Sequence, residues 1–287
     1  MKRFGIALIL TLAAFSAMAR GLSIQGEDCT ARNFNFDGER AFVARETIDG
    51  RGARSLKAAV DHAPMSVVGD SSGGYTIDVC KAARTAEDLN AIRVTFAGGE
   101  LKAEGPEGRN HDWTVTYRIH APKNADLDVQ TANGPLAISD VGGRVVARTQ
   151  NGPLSLTNLS GDVDASAQNG PINVDGGSGT MKVRASNGPL TVDLDGGAWT
   201  GGTLDATTKN GPLSLRIPKG YGSGVVVESR GRGPVSCRAE GCERSRRSWK
   251  DTDNEDWNDT PRTIELGSGA QAVRLGTVNG PISIKDE

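Results

Sequence analysis

The sequence predicts an all-β chain: a single-stranded parallel β-helix, or β-solenoid, of 18-residue two-strand coils with one short helix near its N-terminal side. Three observations carry this. The tripeptide Asn-Gly-Pro recurs at Asn133, Asn151, Asn169, Asn187 and Asn210, with three intervals of 18 residues and a fourth of 23. Positions six, four and two before each Asn are apolar or small, as in Leu127, Val129 and Thr131, and the positions between are polar. Period two means strand. After each Pro an aliphatic pair resumes the alternation, from Leu136 and Ile138 to Leu213 and Leu215.

A unit this short cannot bury its own apolar face, so copies must stack and pair as parallel strands about 4.8 Å apart. At the corner, Asn tolerates positive φ, Gly tolerates almost any conformation, and Pro opens a strand where no ladder donor is required. These turn residues are Asn133, Asn151, Asn169, Asn187, Asn210 and Asn279, and their stacked side chains can satisfy one another from coil to coil. Residues 198–202, which lengthen the fourth interval, read as a surface insertion. A hexapeptide helix is excluded because stepping six from Leu136 reaches Gly142 and then Arg148; a calcium roll is excluded because its glycine motif occurs once, at 176–181, without the Asp.

In chain order, Met1-Lys2-Arg3, an apolar run over 6–15 and Ala17-Met18-Ala19 predict a signal peptide at 1–19. The run is too short for a comfortable membrane span. The mature protein is therefore expected to be soluble and extracytoplasmic, either periplasmic or secreted to the cell surface. Residues 20–48 read as an irregular lead and 49–287 as the solenoid, with regular repeats at 127–217. Leu56, Ala58, Val60, Met65 and Val67 match the template with His62-Ala63-Pro64 at the corner, a degenerate first coil that caps an open edge. Thr85-Ala86-Glu87-Asp88 signals the short helix. Strands precede it at Tyr75, Ile77 and Val79 and follow it at 92–96, 101–104 and 113–120.

Beyond Gly220 the regularity decays. Val225 and Val227 fall one place out of register, a slip that a bulge near Gly231 would absorb. A charged excursion over 243–262 contains Trp249 and Trp257. Val273, Leu275, Thr277, Asn279-Gly280-Pro281, Ile282 and Ile284 then restore the template, and Lys285-Asp286-Glu287 are expected to discourage edge pairing.

Four Cys in an exported chain read as two disulfides, although spacing alone leaves three pairings open. Cys237 with Cys242 closes a small loop, which leaves Cys29 with Cys80; a zinc site lacks a nearby His. A formal charge of −2 gives no electrostatic case for nucleic acid.

The strand-turn units running from Asn133-Gly134-Pro135-Leu136-Ala137-Ile138 to Asn279-Gly280-Pro281-Ile282-Ser283-Ile284 resemble the bacterial putative adhesin domain family, a domain of unknown function. Tyr75-Thr76-Ile77-Asp78-Val79, the helical segment near Glu87 and the tyrosine-containing strand ending at Pro122 extend the resemblance over roughly 56–285. It implies a parallel β-helix at the cell envelope with no enzymatic activity, and it supplies no catalytic residues. The excursion over 243–262 departs from the family pattern.

Function is expected on outward positions, since inward ones are committed to packing. Ser155, Asn173 and Thr191 form a flat strip of short side chains, and Trp249 and Trp257 are candidate anchors for a partner. The reading is a non-enzymatic display or binding protein for an envelope or cell-surface protein or polysaccharide, without cofactor or metal. Asp175 and Asp193, stacked on adjacent coils, define the alternative of a polysaccharide-active enzyme. A third possibility is an envelope-stress or signalling accessory protein.

Overall fold

A computed structural model describes residues 29–108, 111–231, 233–243 and 262–287. The predicted signal peptide and both excursion tryptophans lie outside them. The chain is all-β, with two 11-stranded, largely parallel sheets and a two-stranded hairpin.

Each repeat contributes one strand to each sheet. The first sheet takes Asp126–Asn133, Val145–Asn151, Asp162–Asn169, Thr180–Asn187 and Leu204–Asn210; the second takes Leu136–Ser139, Leu154–Thr157, Ile172–Asp175, Leu190–Asp193 and Leu213–Ile217. Successive copies pair in parallel with the register of the repeat, so Leu127 lies beside Val145, then Val163, Met181 and Leu204. The alternating aliphatics of both sheets point inward and merge into one buried cluster. The last inward place before the corner is often Thr, because backbone carbonyls also face inward there. Thr208 donates to Gly188 O at 2.9 Å and Thr277 to Gly211 O at 3.0 Å.

The corners are built differently from the expectation. None of the turn asparagines has positive φ; among described non-glycine residues only Asp37, Asp140 and Asn158 do. Asn instead serves the ladder, each Nδ2 donating to the Oδ1 of the Asn on the adjacent stacked unit at 2.9–3.0 Å from Asn151 through Asn279. Gly is required because the corners nearly touch: a Cβ on Gly170 would lie 2.1 Å from Gly152 O. The insertion over 198–202 is exposed at four of its five residues, as expected of a surface insertion, but one side chain anchors it to the core. Trp199 is buried, and its Nε1 donates to Gly179 O at 2.8 Å.

At the N-terminal end, Ser55–Val60 and Met65–Asp70 pair in template register with Asp126–Asn133 and Leu136–Ser139, as the degenerate coil predicts. The intervening residues close the end with antiparallel strands. Among them is the helix Ala86–Ala91, whose cap Thr85 accepts from Asp88 N. The lead is more regular than expected, because Phe42–Gly50 forms a nine-residue edge strand antiparallel to Tyr75–Ala83. Cys29–Cys80 ties the lead to that partner, and Cys237–Cys242 is the second disulfide.

The C-terminal end departs most from sequential stacking. In the first sheet the spatial order is Leu204–Asn210, Gln271–Asn279, Gly224–Ser229, Arg262–Leu266; in the second it is Leu213–Ile217, Ile282–Asp286, Val235–Cys237. The last unit therefore sits between two earlier ones, and Lys285 and Asp286 guard no edge. The register slip falls at Gly224/Val225 rather than near Gly231.

Candidate functional site

The outer faces of the two sheets differ in kind. On the first sheet, alternate outward positions carry long charged side chains that pair across strands, as in Arg184 with Asp164 at 3.0 Å and Arg148 with Asp128 at 3.6 Å. On the second sheet, the parallel register lines up Ser66, Ala137, Ser155, Asn173, Thr191, Ser214, Ser283 and Ser236 in one row across eight strands. Strand spacing of about 4.8 Å sets the repeat of that row.

The row is not uniformly open. Asn173 and Thr191 are half-buried, while Ser155 is only 6 % exposed, against the expectation of a freely solvent-facing residue. A short hydroxymethyl group between Ala137 and Asn173 on the flanking strands is shielded by its neighbours even on an outer face. Toward the C-terminal end the face dips into a shallow cavity of about 160 Å³ lined by Thr191, Ser214, Leu215, Arg216, Ser283 and Lys285.

The adjacent row contains both carboxylates singled out by sequence, and the register does place Asp175 beside Asp193. Asp193 is engaged: its Oδ2 accepts from Arg216 Nη1 at 2.9 Å, while its Oδ1 is buried without a partner. Burial raises the Asp193 carboxyl above the usual carboxylate range, Arg216 opposes that rise, and Asp175 adds to it. A raised acid beside a second carboxylate is the electrostatic pattern of an acid-base pair. However, an oxygen closed to solvent and another held by guanidinium cannot pass a proton to a ligand in this geometry. Among the described residues no group of three His, Cys, Asp or Glu could hold a metal ion.

Two carboxylate-histidine pairs were not apparent in the sequence, since their partners are 23 and 50 residues apart. His111 Nδ1 lies 2.7 Å from Asp88, beside the helix, and His120 Nδ1 lies 3.1 Å from Asp70 on the outer face of the second sheet. Hydrogen bonds from Ser72, with a smaller contribution from His120, lower the Asp70 carboxyl.

No family model and no curated protein sequence matches the chain. Among solved structures it is similar to a putative cell adhesion protein from Clostridium sporogenes, with 11 % identity, a TM-score of 0.29, and coverage of 86 % of this chain and 100 % of that one. It is also similar to a putative adhesin from Bacteroides fragilis, with 10 % identity, a TM-score of 0.37, and coverage of 85 % and 97 %. Likeness at this level carries no functional inference. No helix among the described residues is long and apolar enough to cross a membrane.

Proposed function

We propose that the chain is an exported, non-catalytic β-solenoid with two strands per coil, which displays the outer face of its second sheet to an envelope or cell-surface partner. In this reading residues 1–19 are removed on export, and 49–287 carry the solenoid with the preceding edge strand as part of its cap. The observation supporting it is the contrast between the faces. The first carries long charged side chains that pair across strands at intervals, Arg148 with Asp128 and Arg184 with Asp164, and interrupt its short residues. The second offers a continuous row of short side chains, nearly all polar, against which an extended polymer or partner strand can lie closely. Two disulfides fit an oxidising compartment, and the engaged state of Asp193 argues against the enzyme alternative.

The test compares two sets of substitutions on the same face. Because Ser155 is buried, lysines belong at Asn173, Thr191 and Ser214, where the side chains are half-buried and can extend outward. The triple variant should keep the parent's melting behaviour yet lose retention on isolated envelope or cell-surface material, whereas Asp175→Asn with Asp193→Asn should retain it. Retention lost only in the Asp pair, or hydrolysis of an envelope polysaccharide that disappears with that pair, would replace display by the enzyme reading. Unchanged retention in both would move the binding role off this face.

A further inference from the structure

The unit formed by Gln271–Asn279 and Ile282–Asp286 fills a slot whose walls come from earlier parts of the chain. On one side it pairs with Leu204–Asn210 and Leu213–Ile217, on the other with Gly224–Ser229 and Val235–Cys237, all in parallel. Leu213 N donates to Pro281 O, Ile282 N donates to Pro234 O, each at 2.9 Å, and Asn279 extends the amide ladder onto Asn210. Without this unit both walls would be open sheet edges.

Nothing in the recognition ties the unit to its own chain. On the Leu204–Asn210 and Leu213–Ile217 side the pairing repeats the template register found between other units, with Asn279 bonded to an Asn 69 residues away. On the Gly224–Ser229 side it stays parallel apart from the slip at Gly224/Val225. The covalent link is the four-residue loop 267–270, which crosses the start of the neighbouring strand. There Gly267 has φ +74°, and a Cβ would fall 2.0 Å from Ser223 O at Gly267 and 2.2 Å from Gly222 O at Gly269. A short, crowded hinge beside a self-complementary element favours exchange between molecules, since the exchanged pair keeps every contact except those of the hinge.

We propose that this slot is a strand-acceptor site whose partner is a second copy of the chain, two molecules exchanging residues 271–287 to form a dimer that presents two display faces. The register supplies a direct test, because Ser214 and Ser283 are outward neighbours across the slot wall. Full-length Ser214→Cys and Ser283→Cys chains are mixed at high concentration, or refolded together at acidic pH where thiol exchange is slow, then treated with a short thiol crosslinker. A covalent dimer linking positions 214 and 283 is expected, in a yield that rises with concentration and falls several-fold when the hinge is lengthened by four Gly/Ser residues. The double variant within one chain must give the intramolecular link, which establishes that the reagent reaches both thiols. A Ser66→Cys chain mixed with Ser283→Cys sets the background, since Ser66 lies beside Ala137 and Arg118, away from the slot. A 214–283 yield no higher than that background after co-refolding would overturn the proposal.

Discussion

Replacing Gly170 by Ala tests how closely the repeats are stacked. The added Cβ would lie 2.1 Å from Gly152 O, 2.7 Å from Gly152 C and 3.3 Å from Gly152 N. The clash is with backbone, which cannot swing away as a side chain can. Relief requires the two corners to separate by roughly 1 Å, beyond normal hydrogen-bond length. Three bonds span that gap: Gly152 N to Asn169 O at 3.1 Å, Asn169 Nδ2 to Asn151 Oδ1 at 2.9 Å, and Leu154 N to Pro171 O at 2.9 Å. At about 0.5–1.5 kcal/mol net each, weakening them should destabilise the fold by about 1–4 kcal/mol. Gly197→Ala is the matched control, since a Cβ there meets nothing within 4 Å and φ is not positive. That change should be neutral or stabilising by up to about 1 kcal/mol, through the unfolded chain. Urea unfolding with disulfides intact, followed by circular dichroism and by the fluorescence of buried Trp199, measures both. Equal stability of Gly170→Ala and the parent would refute the stacking argument.

Leu154 is fully buried between Leu136 and Ile172, on strands whose ladders resist collapse. Leu154→Ala should therefore cost about 2–5 kcal/mol in the same unfolding assay, and Leu154→Asp should abolish cooperative folding; parent-like melting of either would place Leu154 outside the core. For Asp193, burial raises the carboxyl, so the folded state holds its proton to higher pH than the unfolded chain does. The group thus favours folding below the unfolded carboxylate range and loses that contribution as pH rises through its folded value. Asp193→Asn should be more stable than the parent at neutral pH, with the difference vanishing in acid. Arg216, 30 % exposed, stays hydrated when its partner is lost. A less stable variant at neutral pH would mean that the Arg216 pair outweighs desolvation.

The regular repeats were legible because each unit restates the same local pattern: alternation up to Asn, a corner, and an aliphatic pair. The helix at Ala86–Ala91 was legible from its cap. Other features depend on partners that no local pattern names. Phe42–Gly50 carries Arg45, Glu46 and Asp49 among its apolar residues, and it becomes a strand through antiparallel pairing with Tyr75–Ala83. The place of the last unit was hidden for the opposite reason, since all units look alike and the template shows that one exists without saying which slot it fills. Trp199 looked superficial because its hydrogen-bond partner, Gly179 O, belongs to the preceding unit. At the candidate site, the alignment of Ser155, Asn173 and Thr191 followed from the period, while the burial of Ser155 depended on the neighbours across the ladder. Counting six places past each Asn sets Arg216 beside Asp193 even across the lengthened interval, whereas the ion pair itself and the burial of Asp193 Oδ1 depended on side-chain packing.

The row of turn amides has a consequence for how this protein ages. Asn followed by Gly is the dipeptide most prone to deamidation, because the unhindered glycine nitrogen can attack the side-chain carbonyl, and this chain stacks six of them. In the folded state that attack is opposed twice at Asn169: Gly170 N is committed to Asn187 O at 3.0 Å, and the side-chain amide is held between Asn151 and Asn187. The most labile bond in the sequence is thus guarded by the order it helps to create. Should one link convert, the new carboxylate has no proton to donate, and it would face the Oδ1 of the unit before it. Loosening there would expose the adjacent corners to the same chemistry, so damage would spread outward along the stack from its first lesion.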